Sequence, residues 1–343
     1  MTFLKNNLRI TSPLPKNSFS LKNPLLWAFV LPGLYWFYLL FSSNMEIVYD
    51  GWHFQELGTL LYQKGWMEYL KTGPNNEPVF PLLIAFSMRI AELTGISYQK
   101  IQTVIHILCL LLTQILCWRI LKKLQIHPLI IAVTIIYLGC SPALVNATFS
   151  LWSEIAAFPF VIGIVLVSIH AWQSIEQRKP FQVILSGFLL AFLFIGATSV
   201  KALFEYIIPC FMIPFYILIM RFFLTKQYSR FKHSLLFCIL ALGIFELFVF
   251  GYKSLNQKYN GHFMLTNRGP YILYGTVSRQ TDPLARKEFL LGLSYIPGDG
   301  VCHRFFGKER CSFWSLFTVE GRGSQMEAEL KKTGVSERRL TNS

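Results

Sequence analysis

Charged residues are scarce in this chain, and acidic ones are the scarcest. Only 15% of its 343 residues are charged, and 18 Asp and Glu stand against 32 Lys and Arg. A soluble domain needs more polar surface than this to cover its exterior. The sequence also lacks glycine-rich phosphate loops, His/Cys metal spacings, Gly-x-Ser-x-Gly elbows and internal repeats. These absences argue against the common nucleotide-binding, zinc and serine-hydrolase classes.

Long apolar runs are what the sequence has in abundance. Hydrophobic residues make up 53% of the chain, and the mean hydropathy is +0.43. Runs of about 20 apolar residues match the thickness of a bilayer, and in lipid they must be helical to satisfy their backbone hydrogen bonds. The chain is therefore predicted to be an all-α polytopic membrane protein with about seven transmembrane helices. The runs are 23–43, 101–118, 128–153, 155–175, 181–200, 202–220 and 233–252.

The net charge of +14 first suggests a nucleic-acid partner, but the distribution of the charges favours membrane topology instead. With a cytoplasmic N-terminus, nearly all loop charges on the inner side are basic, which is the positive-inside pattern. The first outer loop, residues 44–100, carries six acids. This charge distribution predicts membrane lipids as partners and no nucleic acid. The inner basic residues are Lys5, Arg9, Lys16, Lys22, Arg119, Lys122, Lys123, Arg178, Lys179, Arg221, Lys226, Arg230 and Lys232.

The first outer loop is expected to hold interfacial helices. Residues 78–93 are apolar enough for a helix but contain Arg89 and Glu92, and a full crossing there would invert every later helix against the charge rule. Aromatic residues between polar ones over 52–70 suit a segment on the membrane surface. The predicted domains are a transmembrane domain, 1–252, and an outward polar tail, 253–343, disordered towards its end.

Four ionisable residues converge on the outer membrane face by topology: Asp50, Glu154, Lys201 and Glu205. Such residues at a membrane boundary are costly without partners and are therefore functional candidates. A carboxylate can take a proton from an acceptor hydroxyl, and a lysine can hold the phosphate of a lipid-linked donor. The acids can instead bind a divalent cation, Mg²⁺ or Mn²⁺, together with the phosphate.

Structural explanations compete with each of these roles. Asp50 also fits a loop or cap residue, and Glu154 fits a helix N-terminal acid stabilised by the macrodipole. Lys201 can pair with Glu205 four residues later. The histidines His53 and His106 are interpreted as hydrogen-bonded polar residues rather than ligands.

Several motifs in order resemble a known family. An early acid followed by aromatics occurs at 49–58, Pro-x-x-Pro-Leu-Leu occurs at 78–83, and an acid, Glu154, starts a later helix. A glycine, apolar residues and a basic residue span 187–201, and a Gly-x-Phe-x-Leu-Thr stretch lies in 261–273. Together they resemble the membrane glycosyltransferases of the GT-C superfold, in particular the mannosyltransferase-like (PMT/ArnT-like) group that uses polyprenyl-phosphate sugars. The resemblance covers most of residues 24–310.

The resemblance implies an inverting glycosyltransferase that moves a sugar from a polyprenyl-phosphate donor to an outward-facing lipid, glycan or protein acceptor. It implies catalytic roles for Asp50 and Glu154 and donor-phosphate contacts for Lys201 and Arg268, and it leaves open whether a divalent cation takes part. The expected location is the bacterial inner membrane.

The chain departs from the family in two ways. Members usually have further helices after the long outer segment, and Gly51 follows the early acid where the family often has an acid or alanine. The alternatives are therefore a truncated or non-catalytic membrane subunit, or a transporter for a lipid or solute. A transporter would more often show two related halves with broken helices.

Overall fold

The computed structural model describes residues 24–48, 50–72, 77–266 and 304–305. Within these ranges the chain is helical, and an isolated parallel bridge between Glu46 and Ser150 is its one β pairing. The helices that can be bounded are α1 (Pro24–Ser42), α2 (Asp50–Lys71), α3 (Val79–Thr94), α4 (Tyr98–Lys123), α5 (Pro128–Cys140), α6 (Pro142–Thr148), α7 (Glu154–Glu176), α8 (Pro180–Val200), α9 (Phe204–Phe211), α10 (Ile213–Leu224) and α11 (Tyr228–Asn260).

Within the described ranges, six helical segments are long and apolar enough to cross a membrane: α1, α4, α7, α8, the α9–α10 segment and α11. A seventh crossing is formed if α5 and α6 are counted as one bent span. The prediction of an all-α, multi-pass integral membrane protein with about seven spans is thereby confirmed for the part of the chain that the structure describes.

The bend of 48° between α5 and α6 has a local cause. Pro142 begins α6, and the residue before a proline is driven out of helical geometry by the proline ring. Ser141 accordingly has φ −57° and ψ 122°. The run 128–153, which was predicted as one transmembrane helix, is therefore two helices followed by a turn.

The first loop is helical, as expected. The 16 residues of α3 are fewer than a bilayer crossing requires, and Arg89 and Glu92 form an exposed ion pair on it. The other helix, α2, is kinked at Gly65, whose φ of 79° and ψ of −177° are accessible to glycine alone.

Three helices end at polar loops with the same backbone motif. Residues Gln125, Arg178 and Lys226 take left-handed conformations with φ of 58°, 56° and 55° after α4, α7 and α10. In each case the next amide reaches back to a carbonyl in the last turn, from Ile126 to Leu121 in α4 (3.1 Å). This is the Schellman termination, and it satisfies carbonyls that a helix end leaves unpaired.

The chain divides into two compact units, 1–63 with 78–247 and 64–77 with 248–343. The first contains Asp50, Glu154, Lys201 and Glu205. In the second, the Asn260 amide donates to the Leu70 carbonyl (2.6 Å), and the Asn256 amide donates to the Met264 carbonyl (2.7 Å). Most of the tail, including the segment predicted to be disordered, lies outside the described residues.

Candidate functional site

One hydrophobic cluster holds the segments that carry the predicted site residues. Its buried members include Met45, Phe54, Leu151, Ala156 and Val200, with Phe80 and Ile84 of α3 among them. Asp50 lies between Met45 and Phe54 in the chain, and Glu154 lies between Leu151 and Ala156. Lys201 directly follows Val200. Three segments that are distant in sequence are thus packed on a common apolar base, with an ionisable residue in each.

A short parallel pairing joins the first two segments. The Glu46 amide donates to the Phe149 carbonyl and the Leu151 amide donates to the Glu46 carbonyl, both at 2.9 Å. Gly51 then lies against the same strand of chain, since a Cβ added there would be 3.3 Å from the Leu151 carbonyl oxygen. The residue after Asp50 is therefore in contact with the turn that leads into Glu154. Any larger residue at position 51 would press on that turn.

An ion pair joins the second segment to the third. The Lys201 ammonium lies 2.8 Å from Oε1 of Glu154, and their side chains are 31% and 50% exposed. Lys201 is extended (φ −145°) at the end of α8, while Glu154 is the first residue of α7. The lysine is thus partly enclosed and partly open to a ligand.

Both acids occupy helix N-termini, where the partial positive charge of the helix stabilises a carboxylate. Asp50 begins α2 and its side chain is exposed; Glu154 begins α7. His53, in the first turn of α2, lies 3.5 Å from Glu56. The position of Glu154 agrees with its interpretation as a helix N-terminal acid, and Asp50 is the first residue of its helix rather than a loop residue.

Two serines at this site carry no signal that sequence reasoning detected. Ser150 and Ser153 are both fully buried, and within the described ranges their hydroxyl oxygens have no hydrogen-bond partner. Ser153 stands at the N-cap of α7 without capping it. Small polar residues at a helix start are normally interpreted as caps, so nothing in the sequence distinguishes them.

The remaining predicted residues have mixed outcomes. Glu205 lies in the first turn of α9, four residues after Lys201. Arg268 lies outside the described residues. Among the residues that the structure describes, no group of three His, Cys, Asp or Glu side chains is arranged to hold a metal ion.

The interpretation of His106 as a hydrogen-bonded polar residue is confirmed. Its side chain is fully buried within α4, and both ring nitrogens have polar neighbours. The spacing of Gln102 and His106, one helical turn apart in an apolar run, was the available signal.

Comparisons with family models, with curated proteins and with solved structures each returned no match for this chain. No relative therefore contributes a name or a residue role. The functional conclusion depends on the geometry of the three packed segments and on the motifs set out above.

Proposed function

We propose that this protein is a membrane glycosyltransferase of the GT-C type. It would transfer a sugar from a polyprenyl-phosphate donor to an outward-facing lipid, glycan or protein acceptor. The observation that carries the proposal is the packing of the Asp50, Glu154 and Lys201 segments on one apolar cluster, next to helices long enough to span a bilayer. A lipid-linked donor requires this combination of polar chemistry and adjacent membrane.

Each of these residues has a chemical role in the proposed reaction. The acceptor oxygen attacks the anomeric carbon, the bond from that carbon to the donor phosphate breaks, and the configuration is inverted. Asp50 takes the acceptor proton or orients the hydroxyl, as a positioned carboxylate can. Lys201 neutralises the departing phosphate as a compact cation. Glu154 holds Lys201 at 2.8 Å and is the second acid of the site.

Arg268 is the second proposed phosphate contact. A divalent cation, Mg²⁺ or Mn²⁺, is an optional partner of the acids and phosphate in this proposal.

The proposed orientation has the N-terminus in the cytoplasm, because that orientation puts Lys122, Lys123, Arg178 and Lys179 inside. The site then faces outward, and the protein belongs in a bacterial inner membrane.

A transporter for a lipid or solute is the second candidate, and one observation favours it. The span formed by α5 and α6 is broken by 48° at Ser141, and discontinuous helices line substrate sites in many transporters. A non-catalytic subunit is the remaining alternative. In a non-catalytic subunit, Asp50, Glu154 and Lys201 would contribute only to folding.

The proposal is tested by sugar transfer from a panel of radiolabelled polyprenyl-phosphate sugars to membrane acceptors. Wild-type protein is compared with Asp50→Asn, which keeps the shape and removes the base. The matched control is Glu56→Gln, an exposed acid of the same helix. We expect Asp50→Asn to lose transfer by about 100-fold or more, the scale of removing an acid–base group, while Glu56→Gln retains it.

Insertion and abundance of both variants must match wild type for the comparison to count. Equal transfer by Asp50→Asn would refute the proposed mechanism. No transfer by folded wild-type protein from any donor would favour the non-catalytic reading, and uptake of a labelled lipid into vesicles by that same preparation would favour the transporter.

A further inference from the structure

A buried hydrogen-bonded chain runs from α3 through α4 to the end of α6. Oγ of Ser87 lies 2.6 Å from Oε1 of Gln102 and 2.9 Å from the Leu83 carbonyl oxygen, and Nε2 of Gln102 lies 3.0 Å from Nε2 of His106. On the other side of the ring, Nδ1 of His106 lies 3.0 Å from the Thr148 carbonyl oxygen. Ser87, Gln102, His106 and Thr148 are all fully buried.

The partners determine which ring nitrogen carries the proton. The Thr148 carbonyl can only accept, so Nδ1 of His106 carries the proton and donates to it. Nε2 is therefore the unprotonated nitrogen, and it accepts from the Gln102 amide nitrogen. The ring is neutral in this arrangement, and every polar atom facing it is matched. Phe80 stacks on it with ring centroids 5.7 Å apart, which holds the plane of the imidazole.

The accepting carbonyl belongs to the turn that positions the candidate site. Thr148 is the last residue of α6, so its carbonyl has no partner within the helix. The next three residues, Phe149, Ser150 and Leu151, pair with Glu46 and contact Gly51. The histidine therefore fixes one end of the segment that sets the position of Glu154 relative to α2.

We propose that His106 is a positioning residue for the outer site, acting through the segment 148–151 on the placement of Asp50 and Glu154. This inference rests on the proposed transferase function for its catalytic consequence, while its geometric part stands independently. His106 contacts none of the candidate catalytic residues, and its role is to donate the Nδ1 hydrogen bond.

Two near-isosteric variants separate this role from general packing. In His106→Asn the amide nitrogen takes the place of Nδ1, so the bond to Thr148 is retained. In His106→Gln the amide reaches the place of Nε2, so that bond is lost while a polar side chain of similar size remains. A merely structural histidine would respond to the two variants alike.

The geometric readout is a disulfide between Glu46→Cys and Ser150→Cys in a chain whose seven native cysteines are replaced. Bridged residues on neighbouring strands lie about 5 Å apart, within disulfide range. We expect His106→Asn to cross-link at the rate of the His106 parent. We expect His106→Gln to cross-link about tenfold more slowly, the scale of leaving one buried carbonyl unpaired. Sugar transfer is measured in proteins without the added cysteines. It should be near the wild-type rate in His106→Asn and lower in His106→Gln.

Equal cross-linking rates for the two variants would overturn the inference. So would normal transfer by a folded His106→Gln protein. If the rates differ as expected but wild-type protein transfers no sugar, the positioning geometry is supported and the transferase proposal is the part that fails.

Discussion

The ammonium of Lys201, at the end of α8, lies 2.8 Å from the carboxylate of Glu154, the first residue of α7 and 47 positions earlier in the chain. Both side chains are partly exposed, at 31% and 50%. An ion pair of this kind contributes about 0–1 kcal/mol to stability, because solvent screens it and two long side chains must be ordered. Folding alone is therefore a weak reason for placing these two charges together.

Reversing the pair distinguishes folding from function. Lys201→Glu alone puts two carboxylates together and Glu154→Lys alone puts two ammonium groups together, so we expect both to lower thermal stability in detergent slightly. The double variant restores the attraction and should restore the stability. Transfer should remain at least about 100-fold low, since the phosphate would meet a carboxylate where the cation was.

The control for that reversal is the exchange of Glu176 and Arg230, paired at 3.1 Å where α7 ends and α11 begins. The Glu176–Arg230 pair lies at the opposite end of α7 from Glu154, so exchanging its two residues should leave the rate of sugar transfer near that of wild type. Full recovery of transfer in the Glu154/Lys201 double variant would mean that the pair acts only in folding.

The helices and the convergence of the site residues were within reach of the sequence. Runs of bilayer length predict spans, and alternation of spans places Asp50, Glu154 and Lys201 at one face. The bridge between Glu46 and Ser150 could not be predicted. A pairing one residue long leaves no alternation of apolar and polar residues, and its partners are about 100 positions apart, so no local pattern encodes it.

The break at Ser141 was predictable but was not predicted. Pro142 lies inside an apolar run, and the length of that run outweighed the proline in the prediction of one helix.

Contacts between helices could not be predicted from the sequence, since they depend on the surface of the partner helix. A Cβ at Gly139 would overlap the Gln114 amide and the Pro32 ring, whereas one at Gly243 would meet nothing within 4 Å. The two glycines look alike in sequence.

Alanine substitution at these two glycines should have opposite effects. Gly139 packs against α1 and α4, and the Gln114 amide cannot move away freely because it donates to the Ile135 carbonyl at 2.8 Å. We expect Gly139→Ala to destabilise the protein by about 1–3 kcal/mol through overpacking. Gly243→Ala in the open face of α11 should be neutral or stabilising by up to about 1 kcal/mol, from the helix propensity of alanine.

The measurement for both glycine variants is unfolding in a titration of denaturing detergent, followed by helical circular dichroism. A Gly139→Ala protein as stable as wild type would show that α1, α4 and α5 do not pack as closely as described.

The left-handed helix ends predict a second pair of opposite effects. At Gln125 (φ 58°) a non-glycine residue occupies a conformation that glycine adopts without strain, so Gln125→Gly should stabilise the protein by about 0.5–1 kcal/mol. At Gly95 (φ 71°), which ends α3, the reverse change Gly95→Ala should cost about 1 kcal/mol. Neither variant alters a charge, so membrane topology is unaffected. The same unfolding titration measures both, and shifts of equal sign would contradict the assigned backbone conformations.

The orientation of the spans is testable by cysteine labelling in intact cells. In a cysteine-free chain, Thr94→Cys and Glu56→Cys lie in the first loop, while Gln177→Cys and Thr225→Cys lie in the loops after α7 and α10; all four positions are exposed. With a cytoplasmic N-terminus, a membrane-impermeant maleimide should label the first two in intact cells and the second two only after permeabilisation. The positive-inside rule supplies the reason, because Arg178, Lys179 and Lys226 flank the second pair. The opposite labelling pattern would place Asp50, Glu154 and Lys201 on the cytoplasmic side and would require a donor and an acceptor there.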